Sequence, residues 1–393
     1  MSISKLTLYK VAVPLKRVVK HASFERSESE NLVVRVTLRD GTTGYGEGVP
    51  RSYVTGETIE STFADLEAGD WARVVGRPPR FVEVVERLET LTLPRIESDP
   101  RGMAGNAARC ALELAILDAY GRRYGQSLDL AVVLARADGL KLFRKIRGVR
   151  YSGAITAESE RSERLSAWKM RIYGFNQVKI KVGTKGQDDP ARLARFRKIL
   201  GRRMDIRLDA NEAWRAAELI DRVQPLLQFG PTALEQPVPH AEIDALAELR
   251  PKLGLPVMLD ESLCGFPDAL AAVARRTADL FNVRLSKCGG ILPSLRIIAL
   301  AQRSGLGVQL GCHPGETSLL SAAGRHVAGR VSGLRYVEGS YDRHILKANL
   351  TTRDVTFGFG GRARPLKGPG LGVLVDLDAL EAMTVETREI CYD

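Results

Sequence analysis

The feature that most constrains the fold is a series of eight short apolar runs, spaced almost evenly along the second half of the chain. The steps between run starts are 23 to 29 residues, and a segment with helical periodicity follows every run but the last. Strands that alternate with helices in this way are typical of successive β-α units, and eight units predict a closed parallel barrel. The runs begin near residues 149, 177, 206, 233, 256, 280, 307 and 334.

The N-terminal third has a different pattern. Alternating segments at 3–13 and 31–38 are followed by an Asp40-Gly41 turn, which predicts antiparallel strands. Helical periodicity follows, most clearly at 104–120. We therefore predict an α/β fold in three segments. These are an α+β capping domain at 1–130, the barrel at 131–350, and a Gly- and Pro-rich segment at 351–393 that returns to the capping domain.

Composition narrows the class of protein. The 393 residues are 44% hydrophobic with a mean hydropathy of -0.12, and no apolar run is long enough to span a membrane. Lys5 and Lys10 stand where a signal peptide needs apolar residues, so we expect a cytoplasmic protein with five reduced cysteines. The net charge of +11 is spread along the chain, which favours anionic small molecules over nucleic acid as partners.

Charged residues stand where the apolar runs end, and the carboxyl ends of barrel strands are where such folds carry their active sites. Lys179 and Lys181 are two residues apart, so both point to the same face of the second strand. Asp209, Glu235 and Asp260 end the third, fourth and fifth runs. Each pattern alone is more often an exposed strand edge or a helix cap, but together they indicate one site.

Three carboxylates on adjacent strands repel one another unless a cation lies between them. Oxygen ligands without nearby Cys or His favour Mg²⁺, with Mn²⁺ as the alternative. Lys287 follows the sixth run, opposite Lys181 in an eight-stranded ring. Lys181 is the candidate base, because the cationic Lys179 and a metal disfavour its protonated form. These residues predict removal of a proton next to a carboxylate, with the metal stabilising the enolate.

In these motifs the chain resembles the enolase superfamily, and within it the muconate-lactonizing-enzyme subgroup. The motifs are Lys179-x-Lys181, "DANEAW" from Asp209, "EQP" from Glu235, "DES" from Asp260 and "KCGG" from Lys287. The segments "GYGEGVPRSYVTGET" and "GPGLGVLVDLDAL" extend the resemblance to both ends of the chain. It implies a modified TIM barrel, (β/α)7β-like, with a capping domain whose loops close over the mouth.

The resemblance also implies roles for individual residues. Lys181 and Lys287 would be the acid/base pair and Lys179 the helper, with Asp209, Glu235 and Asp260 as Mg²⁺ ligands. Asn211 and Glu261 would hold these groups in position. The following are weaker candidates for substrate contact: His21, Arg26, Arg51 and Tyr53 in the lid loops, and His313 and Glu316 after strand seven.

We therefore predict a Mg²⁺-dependent isomerase, a racemase, epimerase or cycloisomerase that forms an enolate from a small carboxylate substrate, and we expect a homo-oligomer. A syn-dehydratase of the o-succinylbenzoate synthase kind is the main alternative, because it needs only one acid/base lysine. A dipeptide epimerase and a non-catalytic binding protein rank lower. The complete set of carboxylates and lysines argues against the binding protein.

The substrate prediction depends on the segment after strand eight. Dipeptide epimerases carry an Asp-x-Asp pair there that holds the substrate's α-ammonium. An alignment without a gap places Asp342, Arg343 and His344 at those positions. Replacing one carboxylate by histidine and adding a guanidinium weakens the site for a cation. We therefore expect a substrate without a free α-amine, such as an N-acylated amino acid, a hydroxy acid or an unsaturated diacid.

Overall fold

A computed structural model describes residues 1–21, 24–93, 105–156 and 159–393. The N-terminal region forms an antiparallel sheet with strand order β14-β1-β2-β3. Its strands are β1 (Ile3–His21), β2 (Phe24–Leu38), β3 (Thr43–Gly48) and the C-terminal β14 (Thr384–Cys391). The six helices that follow β3 are α1 (Ser52–Thr55), α2 (Ile59–Glu67), α3 (Trp71–Val75), α4 (Phe81–Leu88), α5 (Asn106–Tyr124) and α6 (Asp129–Leu134).

The longest of these helices, α5, lies directly on β3, and glycine makes this close approach feasible. A Cβ atom on Gly44, Gly46 or Gly48 would come within 2.0–2.1 Å of the α5 backbone. Glycines at alternate positions face the same side of a strand, so β3 presents a bare backbone to the helix. The "GYGEG" segment is therefore a packing motif of the sheet.

Eight parallel strands form the second sheet, in the order β12-β11-β10-β9-β8-β7-β6-β5. The Ser152 N–H donates to the Val337 carbonyl at 2.8 Å and so joins the two ends of the sheet. The strands are β5 (Gly153–Ile155), β6 (Gln177–Lys181), β7 (Asp205–Asp209), β8 (Leu234–Glu235), β9 (Val257–Leu259), β10 (Leu280–Arg284), β11 (Gly307–Gly311) and β12 (Leu334–Val337).

Helical segments connect the successive barrel strands, and only one helical turn follows β12. Seven strand–helix units and a final strand confirm the predicted modified barrel with an N-terminal α+β region. The α-helices are α7 (Glu160–Ile172), α8 (Asp189–Leu200), α9 (Leu219–Val223), α10 (Leu246–Leu249), α11 (Phe266–Arg275), α12 (Ile291–Arg303), α13 (Ser318–Arg330) and α14 (Asp342–Ile345). The 3-10 segments are Ala216–Glu218, Gln224–Phe229, His240–Ala245 and Arg250–Lys252.

One predicted strand start is wrong. The run at 149 contains β4 (Val149–Arg150), which pairs antiparallel with β13 (Arg362–Ala363) outside the barrel sheet. The first barrel strand begins at Gly153 instead. The C-terminal segment also contains a 3-10 turn (Phe359–Gly361) and α15 (Leu377–Met383) before β14 pairs with β1.

Two buried carboxylates of the N-terminal region fasten it to the barrel. Glu47 on β3 accepts hydrogen bonds from the Thr317 and Leu320 N–H groups at the start of α13. Glu113 on α5 accepts from the first N–H groups of α12. Unpaired N–H groups and the helix dipole favour a negative charge at these helix ends. The capping sheet is thereby held over the carboxyl ends of β10 and β11.

Among the described helices, none has the length and apolar character that a membrane span requires.

Candidate active site at the carboxyl ends of the barrel strands

The two lysines of β6 occupy the barrel-facing side of that strand. Val178 and Ile180 alternate with the two lysines along the strand and are buried on the opposite side. In the strand register Lys179 lies beside Arg207 and Lys181 beside Asp209. Among the described residues, Lys181 forms no ion pair, and its side chain is half-buried, so its amine is accessible at the mouth.

Lys179 is the centre of a group of carboxylates. Its Nζ lies 3.2 Å from Asp209, 3.4 Å from Glu235 and 3.2 Å from Glu338. Burial by itself lowers the pKa of Lys179, but the three carboxylates outweigh burial and raise this pKa well above its usual value. Lys179 therefore remains a cation at every physiological pH, as the sequence-based interpretation requires.

Glu338 was not predicted from the sequence, although it directly follows β12 just as Asp209 and Glu235 end their strands. Its second oxygen accepts from the guanidinium of Arg207, which is completely buried on β7. Burial raises the pKa of Glu338, but Lys179, Arg207 and Arg284 together hold it at about 2. The rule that strand ends carry the site would have identified this residue.

A second ionic group surrounds Asp260. Arg284, at the end of β10, donates to one carboxylate oxygen of Asp260, and Lys287 Nζ lies 2.8 Å from the other. Lys287 is fully buried and also donates to the Asn282 carbonyl at 3.0 Å. Burial lowers the pKa of Lys287. We call these two groups together the ionic cluster: Lys179, Arg207, Asp209, Glu235, Asp260, Arg284, Lys287 and Glu338.

Asn211 and Glu261 lie at the edge of this cluster. The Asn211 side chain donates to Glu261 at 3.1 Å, and its backbone N–H donates to Asp209 at 3.1 Å. Asn211 has a φ of 42°, an uncommon value for a residue other than glycine, which directs its backbone N–H at the carboxylate. Burial, with the charges of Asp209 and Glu235, raises the pKa of Glu261 to about 7.

The chemistry of the carboxylates fits a hard metal ion. Asp209, Glu235 and Asp260 are buried at the ends of three adjacent strands, and Glu235 Oε2 has no hydrogen-bond partner among the described residues. Lys179 and Arg284 lie between these carboxylates. Among the described residues, no group of three or more His, Cys, Asp or Glu side chains is arranged to hold a metal ion. Metal binding would therefore require these two cations to shift.

The loop 312–317 after β11 carries His313 and Glu316, and we call it the β11 loop. His313 is 3% exposed, and neither ring nitrogen has a hydrogen-bond partner among the described residues. Its backbone N–H donates to Glu316 Oε1 at 2.6 Å. Burial holds the pKa of His313 well below its usual value and raises that of Glu316 to about 8. At neutral pH both side chains are therefore uncharged.

Asp342 and His344 do not reach the ionic cluster. The two oxygens of Asp342 accept from Ser318 and Ser321, both at 2.6 Å. The His344 ring stacks on Phe357 with centroids 5.2 Å apart. The gap-free alignment to an Asp-x-Asp pair therefore stays a prediction, and the structure places Asp342 beside two serines and outside the ionic cluster. Glu338 directly follows β12, whereas Asp342 starts the next helical turn.

The lid candidates have different surroundings. Arg51 is buried, and its guanidinium donates to the Glu30 and Pro50 carbonyls and to Ser29. These hydrogen bonds connect the loop after β3 to strand β2. Tyr53 is 40% exposed and accepts a hydrogen bond from Arg26 at 3.0 Å. His21 ends β1, and its side chain lies outside the described part of the structure.

Comparison with family models covers most of the chain. Residues 3–130 match the model for the mandelate racemase / muconate lactonizing enzyme N-terminal domain. Residues 163–379 match the model for the enolase C-terminal domain-like family. These two matches include every residue of the ionic cluster.

Individual relatives are similar over nearly their full length. The chain is 29% identical to the N-succinyl-L-Arg/Lys racemase of Bacillus cereus over 390 residues, covering 98% of each chain. It is 30% identical to muconate cycloisomerase 1 of Rhodococcus opacus over 383 residues, covering 95% of each.

Solved structures are also similar to this chain over nearly its full length. The N-succinyl Arg/Lys racemase of Bacillus cereus superposes with a TM-score of 0.84 and 25% identity, covering 99% of this chain and 100% of that one. The dipeptide epimerase of Enterococcus faecalis, complexed with Mg and L-Leu-L-Tyr, superposes with a TM-score of 0.79 and 25% identity, covering 95% and 99%.

Proposed function

The chain belongs to the mandelate racemase and muconate lactonizing enzyme family of the enolase superfamily, and we propose that it racemises or epimerises a carboxylate substrate. Its relatives are racemases, epimerases and a cycloisomerase, which confirms the predicted isomerase class. One observation carries the choice of reaction. Lys181 on β6 and Lys287 after β10 approach the mouth from strands four places apart in a ring of eight.

Two amines on opposite sides of a substrate carbon allow inversion of its configuration. One lysine takes the proton next to the carboxylate, and the other donates a proton to the opposite face of the resulting enolate. The reverse reaction exchanges the two roles. Lys179 does not take part in proton transfer, because three carboxylates keep it protonated. Its charge instead offsets those of the neighbouring acids.

We propose Mg²⁺ as the cofactor and Asp209, Glu235 and Asp260 as the residues that hold it. When bound, the ion supplies positive charge that stabilises the enolate oxygens. The oxygen-only donor set and the unpartnered Glu235 oxygen support this assignment. The hydrogen bond from Asn211 to Glu261 and the backbone contact of Asn211 to Asp209 keep one ligand in position.

We propose that the substrate lacks a free α-amine. An ammonium needs a carboxylate partner near the end of β12, and both acids there are already engaged. The oxygens of Glu338 accept from Arg207 and Lys179, and those of Asp342 accept from Ser318 and Ser321. Removing one of these partners would leave a buried group unpaired, which is costly. An N-acylated amino acid is therefore preferred over a free dipeptide.

Cycloisomerisation of an unsaturated diacid is the second candidate. It is favoured by the 30% identity with the Rhodococcus opacus cycloisomerase. Loss of the absorbance of cis,cis-muconate would identify this reaction directly.

The experiment that tests the proposed function is proton exchange. The protein is incubated with Mg²⁺ in D₂O and a panel of N-acylated amino acids, hydroxy acids, diacids and dipeptides. We expect deuterium at the α-position and loss of optical rotation with N-acylated amino acids. Elimination of water in place of exchange would indicate a dehydratase, and a dipeptide kcat/KM above about 10⁴ M⁻¹s⁻¹ would overturn the substrate ranking. No exchange across the panel would favour a binding protein.

We also propose a cytoplasmic homo-oligomer with the segments 1–130, 131–350 and 351–393. The exposed apolar residues Leu165, Trp168 and Ile172 lie on one stripe of α7 and support self-association. Sedimentation of the wild type and of a Trp168→Asp variant tests this, because only an interface on α7 makes the variant dissociate.

A further inference from the structure

We infer that His313 and Glu316 form the subsite that binds the acyl amide of the substrate. This inference rests on the proposed function and specifies its substrate class. It depends on the position of the β11 loop, on the unpartnered imidazole and on the charges around it.

The β11 loop borders a cavity that connects to the ionic cluster. One recess, with a cavity volume of ≈ 10 Å³, is lined by His313, Glu316, Ser340 and Asp342 among others. An adjoining recess, also of ≈ 10 Å³, shares Cys312 and Glu316 with it and reaches Glu338. Because Glu338 contacts Lys179, a substrate whose carboxylate lies at the cluster would extend towards His313 by widening these recesses, each of which has room for about one water molecule.

The imidazole of His313 is a buried group that needs a partner. Both of its ring nitrogens lack a hydrogen bond among the described residues, and Nδ1 lies 3.5 Å from the nearest Glu316 oxygen. A buried polar group without a partner is unfavourable in a folded protein. A neutral imidazole offers one donor and one acceptor. An amide presents the complementary pair, an N–H and a carbonyl oxygen.

The surrounding charges exclude a cationic group. Burial, followed by the charges of Arg284, Arg51, Lys287 and Arg26, keeps the pKa of His313 low. Glu316 is protonated at neutral pH because burial raises its pKa to about 8. A substrate ammonium would therefore meet two neutral groups and several cations, and the acids of the lining, Asp342 and Glu338, already have partners of their own. An amide oxygen, in contrast, is attracted by the same field.

The test compares amides with esters. The probes are N-succinyl derivatives of L-amino acids and O-succinyl esters of the matching 2-hydroxy acids, in which oxygen replaces the N–H. Activity is followed as α-deuterium exchange in D₂O. We expect His313→Leu to lower kcat/KM for the amides by about 10- to 100-fold, mainly through KM, and for the esters by less than about 3-fold.

His313→Gln, which retains a donor and an acceptor, should recover part of the preference for amides. The matched control is His326→Leu. His326 is also fully buried, but it lies on α13 and bonds to the Leu371 carbonyl at 3.0 Å. This control should leave the amide-to-ester ratio unchanged. If His313→Leu does not fold, His313→Gln and Glu316→Leu provide the same ratio, which we expect to fall by at least about 3-fold in Glu316→Leu.

Two failures are distinguishable. A wild-type protein that exchanges no probe would overturn the proposed function itself. A wild-type protein that exchanges the amides, with an unchanged amide-to-ester ratio in the His313 variants, would overturn only the role of the β11 loop.

Discussion

The ionic cluster and the β11 loop meet at the same barrel mouth, yet they bury polar groups in opposite ways. In the cluster, nearly every charge has a partner of the opposite sign, as Lys179 has in Asp209, Glu235 and Glu338. In the β11 loop, His313 and Glu316 are uncharged, and the imidazole has no partner among the described residues. The cluster is thus organised before substrate arrives, whereas the loop needs a partner from outside.

This difference suggests that the ionic cluster and the β11 loop have different roles in catalysis. Compensated charges do not depend on the identity of the substrate, so the cluster suits the proton transfer that we propose for all substrates. A neutral donor and acceptor pair responds to the chemistry of the substrate's remaining part. Variants in the two regions should therefore affect different kinetic constants.

The largest effect is expected in the carboxylates of the cluster. Asp209→Asn, Glu235→Gln and Asp260→Asn should each lower turnover by about 10³-fold or more, because each would weaken binding of the proposed Mg²⁺ ion. Extensive chelation of the wild type should have the same result and be reversed by Mg²⁺. Asp244→Asn is the control, since Asp244 is exposed and pairs only with Arg275 among the described residues. Full activity after chelation would contradict the assignment.

The second-largest effect is expected in variants of the two candidate acid/base lysines. Lys181→Ala and Lys287→Ala should each lower racemisation by about 10²- to 10⁴-fold, because one proton transfer loses its acid or base. Each variant should still exchange the α-proton of one stereoisomer, which NMR in D₂O detects. Lys185→Ala, at an exposed position beyond β6, is the control. Equal loss of exchange with both isomers would indicate a mechanism with one base.

A third prediction concerns stability. Arg207→Met leaves Lys179 as the one ion-pair partner of Glu338 among the described residues, so the free energy of unfolding should fall by about 3–5 kcal/mol. Arg275→Met breaks an exposed pair and should cost about 0–1 kcal/mol. Urea denaturation followed by circular dichroism measures both. Similar losses in the two variants would show that burial of the cluster adds no special sensitivity.

The smallest effect is the pH dependence of the β11 loop. The raised pKa of Glu316, about 8, means that its carboxyl group is neutral at pH 7 and becomes charged as the pH rises. The new negative charge faces His313 and adds to the field of Glu47 and Asp342, with Arg284 opposing it. KM for an anionic N-acyl substrate should therefore rise several-fold between about pH 7 and 9. Glu316→Gln should abolish this rise, and a retained rise would assign it elsewhere.

Much of the fold was predictable because barrel strands follow a local rule. The runs starting at 177, 280, 307 and 334 coincide with the starts of β6, β10, β11 and β12. Burial of alternating or continuous apolar residues depends mainly on neighbouring sequence. The run at 149 failed, since the partner of Val149–Arg150 is β13, more than 200 residues later.

The candidate site was predictable only in part. Residue types at strand ends predicted Lys181, Asp209, Glu235 and Asp260, and these remain predictions for catalysis. Glu338 follows the same rule but was not predicted, because the alignment without a gap placed Asp342 at the first position of the expected Asp-x-Asp pair. Arg284 had no signal beyond its place at the end of a strand.

The sequence by itself determined the order of the strands and the kinds of groups that end them. Only the tertiary structure decided which charge meets which. Lys179 contacts Glu235 and Glu338 across 56 and 159 residues of chain, and no local pattern records those distances. Coulomb energies depend on separation and on the surrounding dielectric, and both are properties of the folded molecule. The same holds for His313, whose neutrality follows from burial that only the assembled barrel and capping region create.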